Sequence, residues 1–213
     1  MEIIWYGHSC FRIKEDGCAT VITDPYNHEV VGHAPLNVRA DIVTLSHNSP
    51  GHNCVQCVQG SPFVIDGAGE YELGNVFITG VQTDYRDVKE RNTLFVFHIN
   101  ELTIAHMGGV ERIPSQSEIE QIGNINIALI PVGGQSGWTA SKASELVTML
   151  EPDYVIPMHY ATDHSKIAME SLKSFLKEMG VAEPQPQASF VLRSDTALAS
   201  EETKVIVLNY QPS

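Results

Sequence analysis

No apolar run in this chain approaches the roughly 20 residues that a membrane span needs, and the opening "MEIIWYGHSC" lacks the basic-then-apolar order of a signal peptide. Both absences lead us to expect a cytoplasmic protein with no membrane partner. Cations are scarce as well: 13 Lys plus Arg stand against 26 Asp plus Glu, for a net charge of −13. That sign opposes binding to a phosphate backbone, so no nucleic-acid partner is expected. Four cysteines in 213 residues, Cys10, Cys18, Cys54 and Cys57, are too few for a secreted disulfide framework. Two nucleophile or phosphate signatures are missing too: "PVGGQSG" at 131–137 has no Lys at phosphate-loop spacing, and no Gly-x-Ser-x-Gly elbow occurs.

What is present is the composition of an ordinary globular protein, 43% hydrophobic and 18% charged. Strand-like runs at 2–6, 11–14, 19–23, 42–45, 63–65, 75–81 and 93–99 are broken by turn signals such as "EDG" and "ELGN". Further strands are expected at 102–105, 127–130, 154–156, 190–192 and 205–208. Between them lie three helices. The first opens on the capping box Ser115-x-x-Glu118, the second runs from near Thr139 to just before Pro152, and the third spans about 165–179 and stops at Gly180. "AEPQPQAS" at 182–189 is a proline-broken connector, since the strands after it are too few to fold alone. Sheets with helices on their outer faces follow, an α/β class.

Four histidines follow apolar strands: His47, His52, His106 and His159. Strand ends are where a sheet delivers ligands, and a hydrolytic metal site needs about three protein ligands plus water. Any one of these histidines alone is more often a part-buried polar residue than a ligand, and it is their joint arrangement that points to a site. "GHSCF" raises a reactive Cys10, but strand alternation makes it a packed thiol.

Taken in order, "WYGHSCFRI", "VITDPY", "VTLSHNSPGHN", "RNTLFVFHINELTIAHMGG", "ALIPVGG" and "EPDYVIPMHY" resemble the metallo-β-lactamase superfamily, in the branch of small metal-dependent hydrolases similar to ascorbate-6-phosphate lactonase. The resemblance covers nearly the whole chain. It implies a single αββα four-layer sandwich over 1–213, with two pseudo-symmetric halves of roughly 1–100 and 101–213 and a dinuclear metal centre between them. Carried over residue by residue, it also implies that the centre is depleted. Of the His-x-His-x-Asp-His motif, His47 and His52 remain, with Ser49 and Gly51 at the two inner positions. Arg86 in "DYRD" stands where a His ligand is expected, unless it is a surface Arg in a shifted loop. Gly109 in "HMGG" stands for the bridging Asp, and His159 is kept. Three of seven ligand positions survive.

The same resemblance makes Asp24 an outer-shell residue that orients the motif loop, and His106 a structural or outer-shell one. Cys54 and Cys57 are weighed as rescue ligands. The expectation is a degenerate centre with no cofactor or one weakly bound divalent metal, Zn first, impaired for hydrolysis and serving as a small-anion binding or regulatory module. The alternative is a working mononuclear hydrolase of an ester, lactone or phosphoester. A homo-oligomer stays open.

Overall fold

The apolar runs pair into two large β-sheets packed face to face, with a separate two-stranded pair formed by Val38–Arg39 and Val58–Gln59. The computed structural model describes residues 1–83, 91–134, 137–192 and 202–213. One sheet has the strand order Phe190–Val191, Glu2–Trp5, Phe11–Lys14, Val21–Thr23, Ile42–Thr44, Phe63–Ile65. The other runs Lys204–Val205, Tyr154–Met158, Ile127–Pro131, Leu102–His106, Asn92–Ile99, Val76–Thr83, Gly69–Leu73. Because successive side chains alternate between faces, Ile42 joins the main core between the sheets while Val43 points outward. Val21 and Ile22 divide in the same way. Outward-facing Tyr6, Cys10, Ile22 and Val43 are packed in a second apolar cluster with Tyr26, Val31 and Val58. The fold is therefore the α/β sandwich of the metallo-β-lactamase type, with a thin outer layer over the first sheet and longer helices beside the second.

Helix Ala140–Leu150 forms because Ala140, Ala143, Leu146, Val147 and Leu150 recur on one buried stripe, with Thr139 capping its first turn. Helix Gln116–Ile122 opens on the Ser115 and Glu118 capping box. Burial opposes ionisation of Glu118, but the Arg112 guanidinium and the Ser115 N–H hold it down at about 2. Glu118→Gln is expected to lower stability by about 1–2 kcal/mol at pH 7. This carboxyl is depressed on folding, so its contribution is complete above the ordinary carboxylate range and lost as pH falls through about 2. Urea melts of the variant against the parent at pH 7 and at successively lower pH check both the size and the convergence.

The structure departs from the sequence expectations at several elements, among them the short helix His28–Val31, the paired strands Val38–Arg39 and Val58–Gln59, and the strand expected at 205–208, which is Lys204–Val205. The helix expected over 165–179 is confined to Leu172–Glu178. Upstream, the backbone is drawn into tertiary bonds instead: Ala161 N–H donates to Glu170 O, Lys166 N–H to Val31 O, and Glu170 N–H to Gly133 O. The strand Gly69–Leu73 was not anticipated, because it is an edge strand whose residues are largely exposed and carry little apolar signal. No helix among the described residues is long and apolar enough to cross a membrane.

Candidate metal centre

Two sets of parallel strands end at one place. Val21–Thr23 runs parallel to Ile42–Thr44, and Leu102–His106, Ile127–Pro131 and Tyr154–Met158 are parallel to one another. Asp24 follows the first of these strands directly, His47 lies three residues past the second, His106 ends the third and His159 follows the last. Carboxyl ends of parallel strands are where open α/β sheets place ligands.

The ligand-capable atoms of His8, His52 and His159 lie within 4.8 Å of one another, as do those of Asp24, His47 and His52. The second group is not a free donor set. Asp24 Oδ1 accepts from Ser46 N–H at 2.7 Å, and Oδ2 accepts from Ser46 Oγ–H at 2.5 Å and from His52 Nδ1–H at 2.8 Å. Since the Ser46 hydroxyl gives its proton to Asp24, it accepts from His47 Nδ1–H at 2.9 Å. Asp24 thus fixes both imidazoles in the tautomer that leaves Nε2 a bare lone pair. Burial would raise the Asp24 carboxyl, but the His52 hydrogen bond and the nearby imidazoles hold it well below the usual carboxylate range.

The first group is different. His52 Nε2 faces His8 Nε2 at 3.1 Å, and the His8 ring stands against His159 with centroids 4.1 Å apart. His8 Nδ1 is buried and has no hydrogen-bond partner among the described residues. Burial, followed by the charges of His159 and His52, pushes His8 well below the ordinary imidazole value. Burial and the neighbouring His52 lower His159 to about 3 and His47 to about 4. Neutral nitrogens crowded in a buried pocket are the form in which imidazole binds a metal. His8, Asp24 and His159 also share a backbone strain: their φ values of 52°, 39° and 53° lie in the left-handed region that side chains avoid.

Of the expected site residues, His47, Ser49, Gly51, His52, Gly109 and His159 line one cavity of about 130 Å³. Its walls also include Val30, Val110, Glu111, Trp138 and Ile167. Asp24 and His106 are not among its lining residues, and both are fully buried. His106 donates from Nε2 to Ser9 O and accepts the Gly108 N–H at Nδ1, so both its nitrogens are spent on backbone. Arg86 falls outside the described residues. Cys54 and Cys57 correct an expectation: they are joined in a disulfide, leave no thiolate to bind a metal, and belong to neither converging group. Cys10 is a buried free thiol.

His8 is the residue that the sequence reading missed. It sits in the turn between Glu2–Trp5 and Phe11–Lys14, where Cys10 N–H donates to Gly7 O. Its carbonyl accepts from the Trp5 indole at 3.0 Å and from His159 N–H at 2.9 Å. The available signal was a histidine inside a tight hairpin turn of the sheet that also carries Asp24 and His47.

A second histidine cluster lies outside this site. His33 is 2% exposed, with Nε2 3.3 Å from Thr162 Oγ1 and Nδ1 unpartnered among the described residues. Burial, with a smaller effect of His164, lowers it to about 4. Its folded value is depressed, so the stability it contributes is complete above about 6.5 and lost as pH falls through about 4. His33→Gln should therefore flatten the acid side of the stability curve between those pH values, by up to about 3 kcal/mol. Chemical melts of metal-free protein across that range check it.

Comparison with known proteins agrees with this geometry. A family model described as a beta-lactamase superfamily domain matches residues 2–159. A Thermotoga maritima crystal structure, of a protein proposed to be a Zn-dependent hydrolase of the metallo-beta-lactamase superfamily, superposes with a TM-score of 0.81 at 32% identity, covering 97% of each chain. A UPF0173 protein of Pyrococcus abyssi is 28% identical over 189 residues, 76% of this chain and 84% of that one. A UPF0173 metal-dependent hydrolase of Lysinibacillus sphaericus is 26% identical over 199 residues, 76% of this chain and 86% of its own length.

Proposed function

The chain belongs to the beta-lactamase superfamily, and from that premise we propose that it is a metal-dependent hydrolase working with one divalent ion, Zn²⁺ first. The observation that carries this reading is the Asp24 to His52 hydrogen bond of 2.8 Å, which aims the His52 Nε2 lone pair into the pocket beside His159. A carboxylate holding the far nitrogen of an imidazole is the support a metal-binding histidine needs. His52 and His159 would hold the ion. A bound divalent ion supplies Lewis-acid polarisation and makes water more acidic at neutral pH.

A second ion has little to hold it. Ser49 and Gly109 bring no ligand, and a Cβ on Gly109 would come 2.7 Å from His47 Cε1, so the His47 ring fills the space of a bridging carboxylate. His47 lines the cavity and keeps its Nε2 as a neutral hydrogen-bond acceptor. Trp138 donates its indole N–H to Pro131 O and closes one wall, which Val30 and Ile167 extend as apolar surface that excludes water. Among the described lining residues the ionised side chain is Glu111, and none is Lys or Arg. Without an ion, that balance weakens the competing reading of an anion-binding, non-catalytic module, which the losses at Ser49, Gly51 and Gly109 would otherwise favour. With a divalent ion on neutral imidazoles the pocket gains positive charge, so an ester, a lactone and a phosphoester all fit the reading.

Zn²⁺-loaded protein and chelator-treated protein, compared on p-nitrophenyl acetate and p-nitrophenyl phosphate, test the proposal. The expected result is turnover of at least one of the two substrates that disappears with the metal. Equal rates with and without metal would contradict it.

A further inference from the structure

We infer that His8 is the third protein ligand of that ion, its Nε2 standing where a carboxylate at position 51 would otherwise reach. The inference rests on the single-ion reading above and deepens it. The resemblance gives position 51 to a metal-binding Asp, and this chain has Gly51 there. A Cβ built on Gly51 comes 2.9 Å from His8 Nε2 and 3.6 Å from Val31 Cγ1. The space that an Asp side chain would enter is therefore already occupied, and what occupies it is a ring nitrogen able to bind a metal.

Three further features support the assignment. The 3.1 Å between His8 Nε2 and His52 Nε2 is close to the roughly 3.3 Å that two Zn–N bonds of about 2.0 Å subtend at a tetrahedral angle. Second, the turn that carries His8 is fastened from several sides. The Trp5 indole and the His159 amide both donate to the His8 carbonyl, and His106 donates to the carbonyl of Ser9. A turn held this way places the base of the His8 side chain before any ion arrives. Third, His8 sits on a left-handed backbone with a φ of 52°, as His159 does with 53°, a strained conformation of the kind that persists at ligand sites.

His8, His52 and His159 together make an all-imidazole set. Three neutral ligands would leave the charge of a bound ion uncompensated, as catalytic rather than closed structural zinc sites do. Imidazole donors also favour Zn²⁺ over Mg²⁺ or Ca²⁺, which take oxygen ligands.

The geometry permits a rescue experiment. Gly51 does not have a left-handed φ, so its backbone accepts an L side chain once the His8 ring is gone. Zn²⁺ affinity would be measured by competition with a chromophoric chelator for the parent, His8→Ala, Gly51→Asp and the double variant His8→Ala/Gly51→Asp, with circular dichroism confirming that each is folded. We expect His8→Ala to lose affinity at least about 100-fold, more than removal of an outer-shell partner costs. The double variant should recover most of that loss, because the Asp then enters the vacated space, while Gly51→Asp alone should bind more weakly than the parent. A His8→Ala protein with parental affinity, or a folded double variant as weak as His8→Ala, overturns the assignment of His8. A parent that binds no Zn²⁺ overturns the single-ion reading itself, so the two failures are told apart.

Discussion

Asp24→Ala is expected to destabilise the protein by about 3–5 kcal/mol and to weaken metal binding by a further 10–100-fold. The carboxylate is fully buried and accepts from three donors, the Ser46 amide, the Ser46 hydroxyl and His52 Nδ1. Removing it leaves all three donors unpaired away from water, which costs far more than the net worth of any one bond. It also frees His52 and, through Ser46, His47 to change tautomer or rotate. Asp24→Asn separates the two effects. Its amide keeps the shape but offers a donor where two protons already point at Oδ2, so stability should recover in part while His52 remains wrongly held. Thermal melts read the first effect, and chelator competition on the folded fraction reads the second. Parental metal affinity in both variants would show that Asp24 orients nothing of consequence.

The second large effect is expected at Gly133. A Cβ there would lie 2.0 Å from His159 O and 3.0 Å from both His159 C and Tyr160 Cα. These are backbone atoms, with no flexible side chain to give way. The strand end Tyr154–Met158 and the loop after Ile127–Pro131 must separate, and they are tied: Val132 N–H donates to Met158 O and Glu170 N–H to Gly133 O. Gly133→Ala should cost about 3 kcal/mol or more, at the upper end of overpacking penalties. It should also move His159 out of the pocket. Gly134→Ala makes a useful contrast, because a Cβ there meets the end of the exposed Glu170 side chain, which can swing away, although its φ of 71° adds some strain. Glycine in "PVGG" thus serves close approach of two chain segments rather than phosphate binding.

These residues also show how far the sequence carried. The sandwich was legible because the buried strands are strongly apolar and the capping box and the stripe of Ala140–Leu150 are local signals. Edge strand Gly69–Leu73 and the irregular stretch before Leu172 were not, since one carries little apolar signal and the other gives its backbone bonds to distant partners. At the site, His47, His52 and His159 were visible as strand-end histidines, and all three line one cavity with Gly51 and Gly109. His8 was hidden for a plain reason. It is 44 residues from His52 and 151 from His159 in sequence, and no spacing rule reveals that its turn folds over Gly51. A tally of ligands restricted to the motif positions therefore counted the missing Asp and not the imidazole in its space. The cysteine pair misled in the opposite direction: Cys54-x-x-Cys57 has metal-like spacing, but the turn Val55–Cys57 brings the two sulfurs to each other.

The central claim is that this chain holds one ion, where the resemblance implies two and the ligand losses at Ser49, Gly51 and Gly109 suggest none. Metal stoichiometry tests it most directly. Untagged protein would be purified without chelators, saturated with Zn²⁺, dialysed against metal-free buffer, and measured by elemental analysis against an accurate protein concentration. One tightly held Zn²⁺ per chain is the predicted result. Two per chain, or none, would contradict it.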